Sequence, residues 1–415
     1  MKYFSIFIIS CFLTNLSCAY KILGVFPVGA KSHYIIGQSL MKGLAEKGHE
    51  VTVISPYKES SPIANYRTVQ VVDVFESIEA VNAKLLEMKD YGVVDGLTGF
   101  YDFGANLTRS TLSDKRVQDF MKTKQHFDLV ICEVFLTDAM LGFGQLFNAP
   151  VVAVSSFSAS IFTNDLVGNP SPLSYVPHPF SGFSTEMSLG QRIANILLTS
   201  VERGFYYNYF YPKQDTLFKE HFRESRSSLD EIRKNVSLIL LNTHFSLAFP
   251  RPYVPNMIEI GGIQVNKKPK DLPKNIKDFI ESADHGVIYF SLGSNMKSKS
   301  LPDETRAALI ETFKNLKQKV LWKWEDPNLP GKPDNVLISD WFPQDDILAH
   351  PNVKLFITHG GLLSTTESIY HGKPLIGSTI DSFGNRHFLG GICNQAQRRR
   401  TPKEFRSRVE FYKVS

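Results

Sequence analysis

The strongest constraint on the fold is an alternation of short β-branched runs with helical patterns, which occurs twice along the chain. The first series opens with the apolar run 21–28 and the helical pattern 32–48. Near-continuous apolar runs joined through helices are typical of parallel sheets that are covered on both faces. We therefore predict an α/β chain with two Rossmann-like, doubly wound parallel-sheet domains that face a cleft.

The other elements follow from the same pattern. Further strands are predicted at 51–56, 127–133, 150–155 and 237–242 in the first series, and at 286–294, 319–324, 336–339, 353–359 and 374–377 in the second. Further helices are predicted at 137–147, 304–316 and 364–371. The predicted parts of the chain are a signal peptide at 1–19, a first domain at 20–250, a proline-rich linker at 251–273, a second domain at 274–377 and a divergent tail at 378–415.

The N-terminus has the pattern of a secretory signal. Lys2 precedes a short apolar run, and the small residues Ser17 and Ala19 stand three and one positions before a cleavage point. The run is shorter than the about 20 residues that a membrane helix needs, and no longer apolar stretch follows it. We expect a chain of the endoplasmic reticulum lumen or a secreted one, with glycosylation sequons at Asn106 and Asn235.

The composition excludes several classes of protein. Lys and Arg number 46 against 41 Asp and Glu, a formal charge of +5, and this small excess is spread along the chain, so no nucleic-acid partner is expected. Two of the four cysteines fall in the predicted signal, leaving Cys132 and Cys393, too few for a disulfide scaffold. The glycine patterns of dinucleotide dehydrogenases and P-loop NTPases do not occur, and no clustered metal-ligand spacing predicts a metal site.

The densest chemistry in the sequence lies where His359, Gly360 and Gly361 follow a predicted strand and open a helix. Glycines let backbone N–H groups approach an anion, and a helix N-terminus adds partial positive charge, so a diphosphate fits there. His359 can donate to a phosphate oxygen, and Glu367 can accept from ribose hydroxyls. Alternatively, Ser364 and Glu367 form a capping box, which is compatible with a binding site.

Two other turns at strand ends add groups to this region. Trp341 and Gln344 offer a flat ring and an amide, which suit a planar base, although a lone tryptophan is more often a core residue. Ser294 closes a Gly/Ser turn that can hydrogen-bond phosphate.

The stretches 341–351 (WFPQDDILAHP) and 356–374 (FITHGGLLSTTESIYHGKP) together resemble the signature of animal UDP-glycosyltransferases, closest in wording to the insect branch. The resemblance implies a GT-B fold and transfer of a hexosyl group from a UDP-sugar, with UDP-glucose expected, to a small lipophilic acceptor. It implies no metal and no cofactor, since the UDP-sugar is a co-substrate.

The resemblance also implies roles for these residues. Trp341 would stack on uracil, Gln344 would contact the nucleotide and Glu367 would bind ribose. The diphosphate would be held by His359 and the turn 360–364, with Ser294 nearby.

A catalytic base is implied in the first domain. The family has a histidine on the loop after the first strand, which here is His33. Such a base would take the proton of an acceptor hydroxyl, whose attack would invert the anomeric carbon. A carboxylate that orients the ring would be Glu133, with Asp138 as the second choice. Without the resemblance, His33 would be an ordinary loop residue.

The resemblance ends after Gly377. Relatives continue with an Asp-Gln pair that holds the sugar hydroxyls, then with closing helices and a membrane anchor, and 378–387 contains no such pair. Two hypotheses therefore stand: an active transferase, or a truncated inactive relative that binds a lipophile or associates with full-length family members. The aromatic stretch 205–211 either lines an acceptor pocket or covers the sheet.

Overall fold

A computed structural model describes residues 19–72, 74–75, 93–294, 297–380 and 386–389. The predicted signal peptide, Cys393 and most of the predicted tail lie outside the described residues. The strands are β1 Lys21–Val25, β2 Glu50–Ser55, β3 Tyr66–Gln70, β4 Leu129–Glu133, β5 Val151–Ser155, β6 Val236–Leu241, β7 Met257–Glu259, β8 Val287–Ser291, β9 Lys319–Lys323, β10 Val336–Ser339, β11 Val353–Thr358, β12 Leu375–Ile380 and β13 Arg386–Leu389.

The α-helices come between these strands. They are α1 Lys31–Glu46, α2 Val93–Ser113, α3 Lys115–Met121, α4 Gly142–Leu146, α5 Ile161–Val167, α6 Leu189–Phe205, α7 Tyr211–His221, α8 Leu229–Lys234, α9 Lys274–Glu281, α10 Asp303–Lys314, α11 Gln344–Ala349 and α12 Leu362–Tyr370. Within the described chain, none of them is both long and apolar enough to cross a bilayer.

The strands form two sheets. The first has the order β3-β2-β1-β4-β5-β6-β7 and is parallel throughout. The second has the order β10-β9-β8-β11-β12-β13 and is parallel except for β13, which pairs antiparallel to β12. The predicted α/β class with two doubly wound parallel sheets is confirmed. The strand order reverses once in each sheet, between β1 and β4 in the first and between β8 and β11 in the second. In open parallel sheets, ligands bind at the carboxyl ends of the strands at such points.

The central strands could be predicted from the sequence because both faces of the sheets are buried, which requires continuous runs of apolar residues. In β1, four of five residues are buried, and β8 is buried along its whole length. Trp322 of β9 is fully buried against Phe290, Phe313 and Trp324, with ring centroids 5.2–5.4 Å apart. Each such apolar side chain stabilises the fold by about 1.5–3 kcal/mol.

Several elements differ from the prediction. β7 lies inside the predicted linker and extends the first sheet, since it pairs with β6. The helix predicted at 137–147 is a 3₁₀ turn, Asp138–Leu141, followed by the short α4. In α6 a polar side chain is buried and an apolar one is exposed, the reverse of the usual distribution. Asn195 is buried and donates to carbonyls of the preceding loop, whereas Leu189 is 76% exposed.

The segment after β7 is tied to the second domain. The backbone N–H of Asn266 donates to Asp345 at 2.7 Å, and that of Lys270 donates to Asp346 at 2.8 Å. Both aspartates lie in the first turn of α11, where carboxylates interact favourably with the helix dipole. Val265 also packs with Tyr370 of α12. These contacts fix the segment against α11 and α12.

Candidate active site

The carboxyl ends of both sheets border a cleft with a cavity of about 420 Å³. That volume lies in the range of small-molecule sites. The predicted site residues that line it are His33, Ser294, Trp341, Gln344, His359, Gly361, Ser364 and Glu367. The structure therefore brings residues predicted separately in the two domains to one cavity.

His33 is the third residue of α1 rather than a member of the preceding loop. Its Nδ1 lies 2.5 Å from Oε1 of Glu133, the last residue of β4, and both side chains are buried. The hydroxyl of Ser156 donates to the same carboxylate oxygen at 2.5 Å. A carboxylate that accepts from Nδ1–H fixes the tautomer in which Nε2 carries the free lone pair. The geometry thus provides an imidazole that can accept a proton through Nε2.

The second-choice carboxylate, Asp138, is occupied elsewhere. It is buried in the 3₁₀ turn, where it accepts from the hydroxyl of Tyr206 and lies 3.4 Å from Nε of Arg233. Leu136 has a φ of +57°, which turns the chain between β4 and Asp138. The structure brings Glu133 to His33 and places Asp138 in a different cluster.

The aromatic stretch 205–211 covers the first domain and does not contribute to the lining of the cavity. Tyr206 and Phe210 are buried in a cluster with Tyr101 and Leu136. Of the two readings of this stretch, packing against the domain fits the structure.

A different set of rings surrounds His33. The ring centroid of Phe135 lies 4.8 Å from that of His33, and that of Phe157 lies 5.3 Å away. Phe100 continues the series from Phe135 at 5.9 Å and reaches Phe180, which is 62% exposed, at 6.4 Å. Sequence reasoning missed these residues, although Phe135 and Phe157 each stand two positions after a strand, a signal that could have identified them.

The turn 359–361, which the sequence predicts to bind a diphosphate, is built around the ring of His359. Gly293 (φ +85°) and Gly361 both lie against the Cε1–Nε2 edge of its ring. A Cβ on Gly361 would stand 2.5 Å from Nε2 of His359, and one on Gly293 would overlap Cε1. Glycine at both positions is therefore required for the ring to lie there. Burial lowers the pKa of His359, so the ring is neutral at pH 7 and has one N–H to donate.

Helix α12 begins directly after this turn, at Leu362. Gly361 is its N-cap, and no side chain caps the first turn. Backbone N–H groups of this turn therefore remain for an anion, as predicted from the glycines. The capping-box alternative is wrong, because Ser364 and Glu367 both accept from Nε2 of Gln344, at 3.1 and 2.7 Å.

Trp341 is 47% exposed, so the core alternative for this residue is also wrong. Trp341 lines the cavity together with Gln344 and Glu367. The three residues predicted to bind the base and the ribose therefore lie at one site. Burial raises the pKa of Glu367 to about 8, with a further contribution from Asp345, while the hydrogen bond from Gln344 acts in the opposite direction. The carboxyl group is thus mostly protonated at pH 7.

The raised pKa of Glu367 predicts a pH-dependent stability. The native state keeps a proton that the unfolded chain releases above about 4.5, so the free energy of unfolding falls as the pH rises from there through about 8. Between pH 6 and 8 we expect the wild type to lose about 2 kcal/mol more than Glu367→Gln, measured by urea unfolding. Glu304→Gln, at an exposed glutamate of α10, should follow the wild type. Parallel profiles for wild type and Glu367→Gln would contradict a buried neutral carboxyl.

Two lysines that sequence reasoning missed also line the cavity. Nζ of Lys31, in the first turn of α1, lies 3.6 Å from the ring centroid of Trp341 across the cleft. Lys323, at the end of β9, is buried and pairs with Glu325 at 2.6 Å. In the part of the chain that the structure describes, no three His, Cys, Asp or Glu side chains converge as metal ligands would.

Known protein sequences are similar to this chain over most of its length. A sequence model described as UDP-glucoronosyl and UDP-glucosyl transferase matches residues 21–388. The chain is 38% identical to UDP-glycosyltransferase UGT5 of Dactylopius coccus, over 90% of this chain and 71% of that protein. It is 29% identical to human UDP-glucuronosyltransferase 2B15, over 93% of this chain and 75% of that protein.

Solved structures show the same architecture. The calicheamicin glycosyltransferase CalG4 matches with a TM-score of 0.57 at 17% identity, over 96% of this chain and 91% of that one. Medicago truncatula UGT71G1, complexed with UDP-glucose, matches with a TM-score of 0.53 at 13% identity, over 96% and 95%.

Proposed function

Because the chain belongs to the family of UDP-glucuronosyl and UDP-glucosyl transferases, we propose that it moves a hexosyl group, expected to be glucose, from a UDP-sugar to a hydroxyl of a small lipophilic acceptor. The observation that carries the proposal is the buried pair of His33 and Glu133, which shares one cavity with Trp341, His359 and Glu367. A base from one domain thus lies opposite nucleotide-binding groups from the other.

In the proposed reaction, Nε2 of His33 takes the proton of the acceptor hydroxyl. The acceptor oxygen forms a bond to the anomeric carbon as the bond from that carbon to the β-phosphate oxygen breaks, which inverts the configuration. Glu133 stabilises the imidazolium that forms. The charge on the departing UDP is met by the N-terminus of α12 and by the N–H of His359.

The nucleotide would lie along the second domain. Uracil would stack on the exposed ring of Trp341, the ribose hydroxyls would bind Glu367 and Gln344, and the diphosphate would bind the turn 360–364 with Ser294 nearby. In this scheme the chain's own N–H and hydroxyl donors stabilise the charge of the diphosphate, so the proposed reaction is metal-independent and the UDP-sugar is a co-substrate rather than a cofactor.

The rings around His33 support a lipophilic acceptor. Phe135 and Phe157 border the imidazole, and Phe157 is 46% exposed, so an apolar acceptor placed there would bury ring surface beside the base. The N-terminal signal pattern supports a place in the secretory pathway, in the endoplasmic reticulum lumen or outside the cell.

The test is calorimetry with UDP and UDP-glucose, together with detection of the glycosylated product from a panel of phenols and aliphatic alcohols. The expected result is UDP binding, tighter or altered binding with the sugar attached, and product with inverted anomeric configuration. Binding of UDP without any product would favour the alternative, an inactive relative that binds a lipophile or associates with family members, because 378–387 lacks the Asp-Gln pair. No binding of UDP at all would overturn the proposal.

A further inference from the structure

Lys31 makes a contact across the cleft that has no role in the proposed reaction. It belongs to the first domain, two residues before His33, yet its ammonium group lies over Trp341 of the second domain. Trp341 is the ring on which uracil would stack. A phosphate offers this ammonium charge-assisted hydrogen bonds, which the face of an aromatic ring does not.

The charges around Lys31 favour an anion in the cavity. Among the described residues, no carboxylate lies within ion-pair distance of Lys31. Burial of its side chain lowers the pKa of Lys31, and the nearby ammonium of Lys323 lowers it further. The partner of Lys323 is Glu325, so Lys31 is the lysine of this cavity that has no ion-pair partner among the described residues. Asp345 and Asp346 also line the cavity, but they accept hydrogen bonds from the backbone of Asn266 and Lys270.

We propose that Lys31 binds the diphosphate of the bound donor, moving from the ring of Trp341 to the phosphate oxygens as uracil takes its place on the ring. This inference rests on the proposed function. The four-carbon stem of lysine and its three donors suit such a transfer between neighbouring partners. Lys31 then links the domain that carries the base to the donor held by the other domain, next to His33.

The test compares UDP with uridine, which has no phosphate, by calorimetry at fixed ionic strength. Lys31→Gln should weaken UDP binding about tenfold, equivalent to about 1.4 kcal/mol, and leave uridine binding within twofold. Lys31→Arg should restore most of the UDP affinity, because it keeps the charge. Lys42→Gln is the matched control, since Lys42 is on the same helix but does not line the cavity.

The outcomes separate the two proposals. UDP affinity in Lys31→Gln within twofold of the wild type would overturn the role of Lys31 while leaving the proposed function intact. An equal loss for UDP and uridine would also overturn it, because Lys31 would then act through Trp341 alone. Failure of the wild type to bind UDP would instead overturn the proposed function.

Discussion

Replacing His33 by alanine is expected to lower kcat for sugar transfer by about 10²–10⁴-fold while UDP affinity stays within twofold. The acceptor hydroxyl is a poor nucleophile until its proton is removed, and Nε2 is the free nitrogen of a ring held at Nδ1 by Glu133. UDP would bind mainly to groups of the second domain, which the substitution leaves unchanged. Steady-state kinetics and calorimetry on the same preparation measure both quantities.

Two further variants make this result specific. His33→Gln retains an amide that can donate to Glu133, so it separates loss of the base from exposure of a buried, unpaired carboxylate. His126 provides the control, because it forms a similar pair with Asp128 at 3.1 Å but its side chain is 72% exposed. His126→Ala should leave kcat unchanged. A His33→Gln enzyme with a kcat near that of the wild type would contradict the assignment of His33 as the base.

Gly293→Ala is expected to lower the free energy of unfolding by about 2–4 kcal/mol and to weaken UDP binding at least tenfold. The residue has a φ of +85°, which is strained for alanine, and its new Cβ would overlap the ring of His359. Gly361 also packs against the Cε1–Nε2 edge of the same ring. Urea unfolding and UDP calorimetry measure the two effects.

Gly331→Ala isolates the contribution of the backbone. Gly331 has a similar φ of +76°, but the nearest atom to its Cβ would be 3.9 Å away. Its substitution should cost about 1–2 kcal/mol of stability and leave UDP affinity unchanged. In a His359→Ala background, Gly293→Ala should cost no more than Gly331→Ala does. A full loss in that background would show that displacement of the His359 ring is not the cause.

The family and the architecture could be predicted from the sequence, and both predictions are confirmed. Strands that are buried on both faces give continuous apolar runs, as in β8, whereas edge elements do not. β3 has a single fully buried residue, Val69, and β7 has only three residues and depends on pairing with β6. Neither has a local pattern that distinguishes it from a loop.

The site could be predicted only in part, because its contacts join distant segments. The residues that line the nucleotide side were identified from motifs, but their roles stay predictions. The hydrogen bond from Gln344 to Glu367 joins residues 23 positions apart, and it is present instead of the local capping box that the spacing allowed. Likewise, spacing placed Asp138 one turn beyond Glu133, and the positive φ of Leu136 directs it to Arg233 instead. No local signal connects Lys31 to Trp341.

The two hydrogen bonds from the segment after β7 to α11 have a consequence for the construction of chimeras. Asn266 and Lys270 contribute only backbone N–H groups, whereas Asp345 and Asp346 contribute side chains. These two bonds therefore do not depend on which side chains stand at 266 and 270. Proline is the exception at 266 and 270, because it has no N–H. In a chimera joined before Asn266, both bonds should form wherever the two acidic residues of α11 travel with the second half of the chain, provided that the contact of Val265 with Tyr370 is also kept.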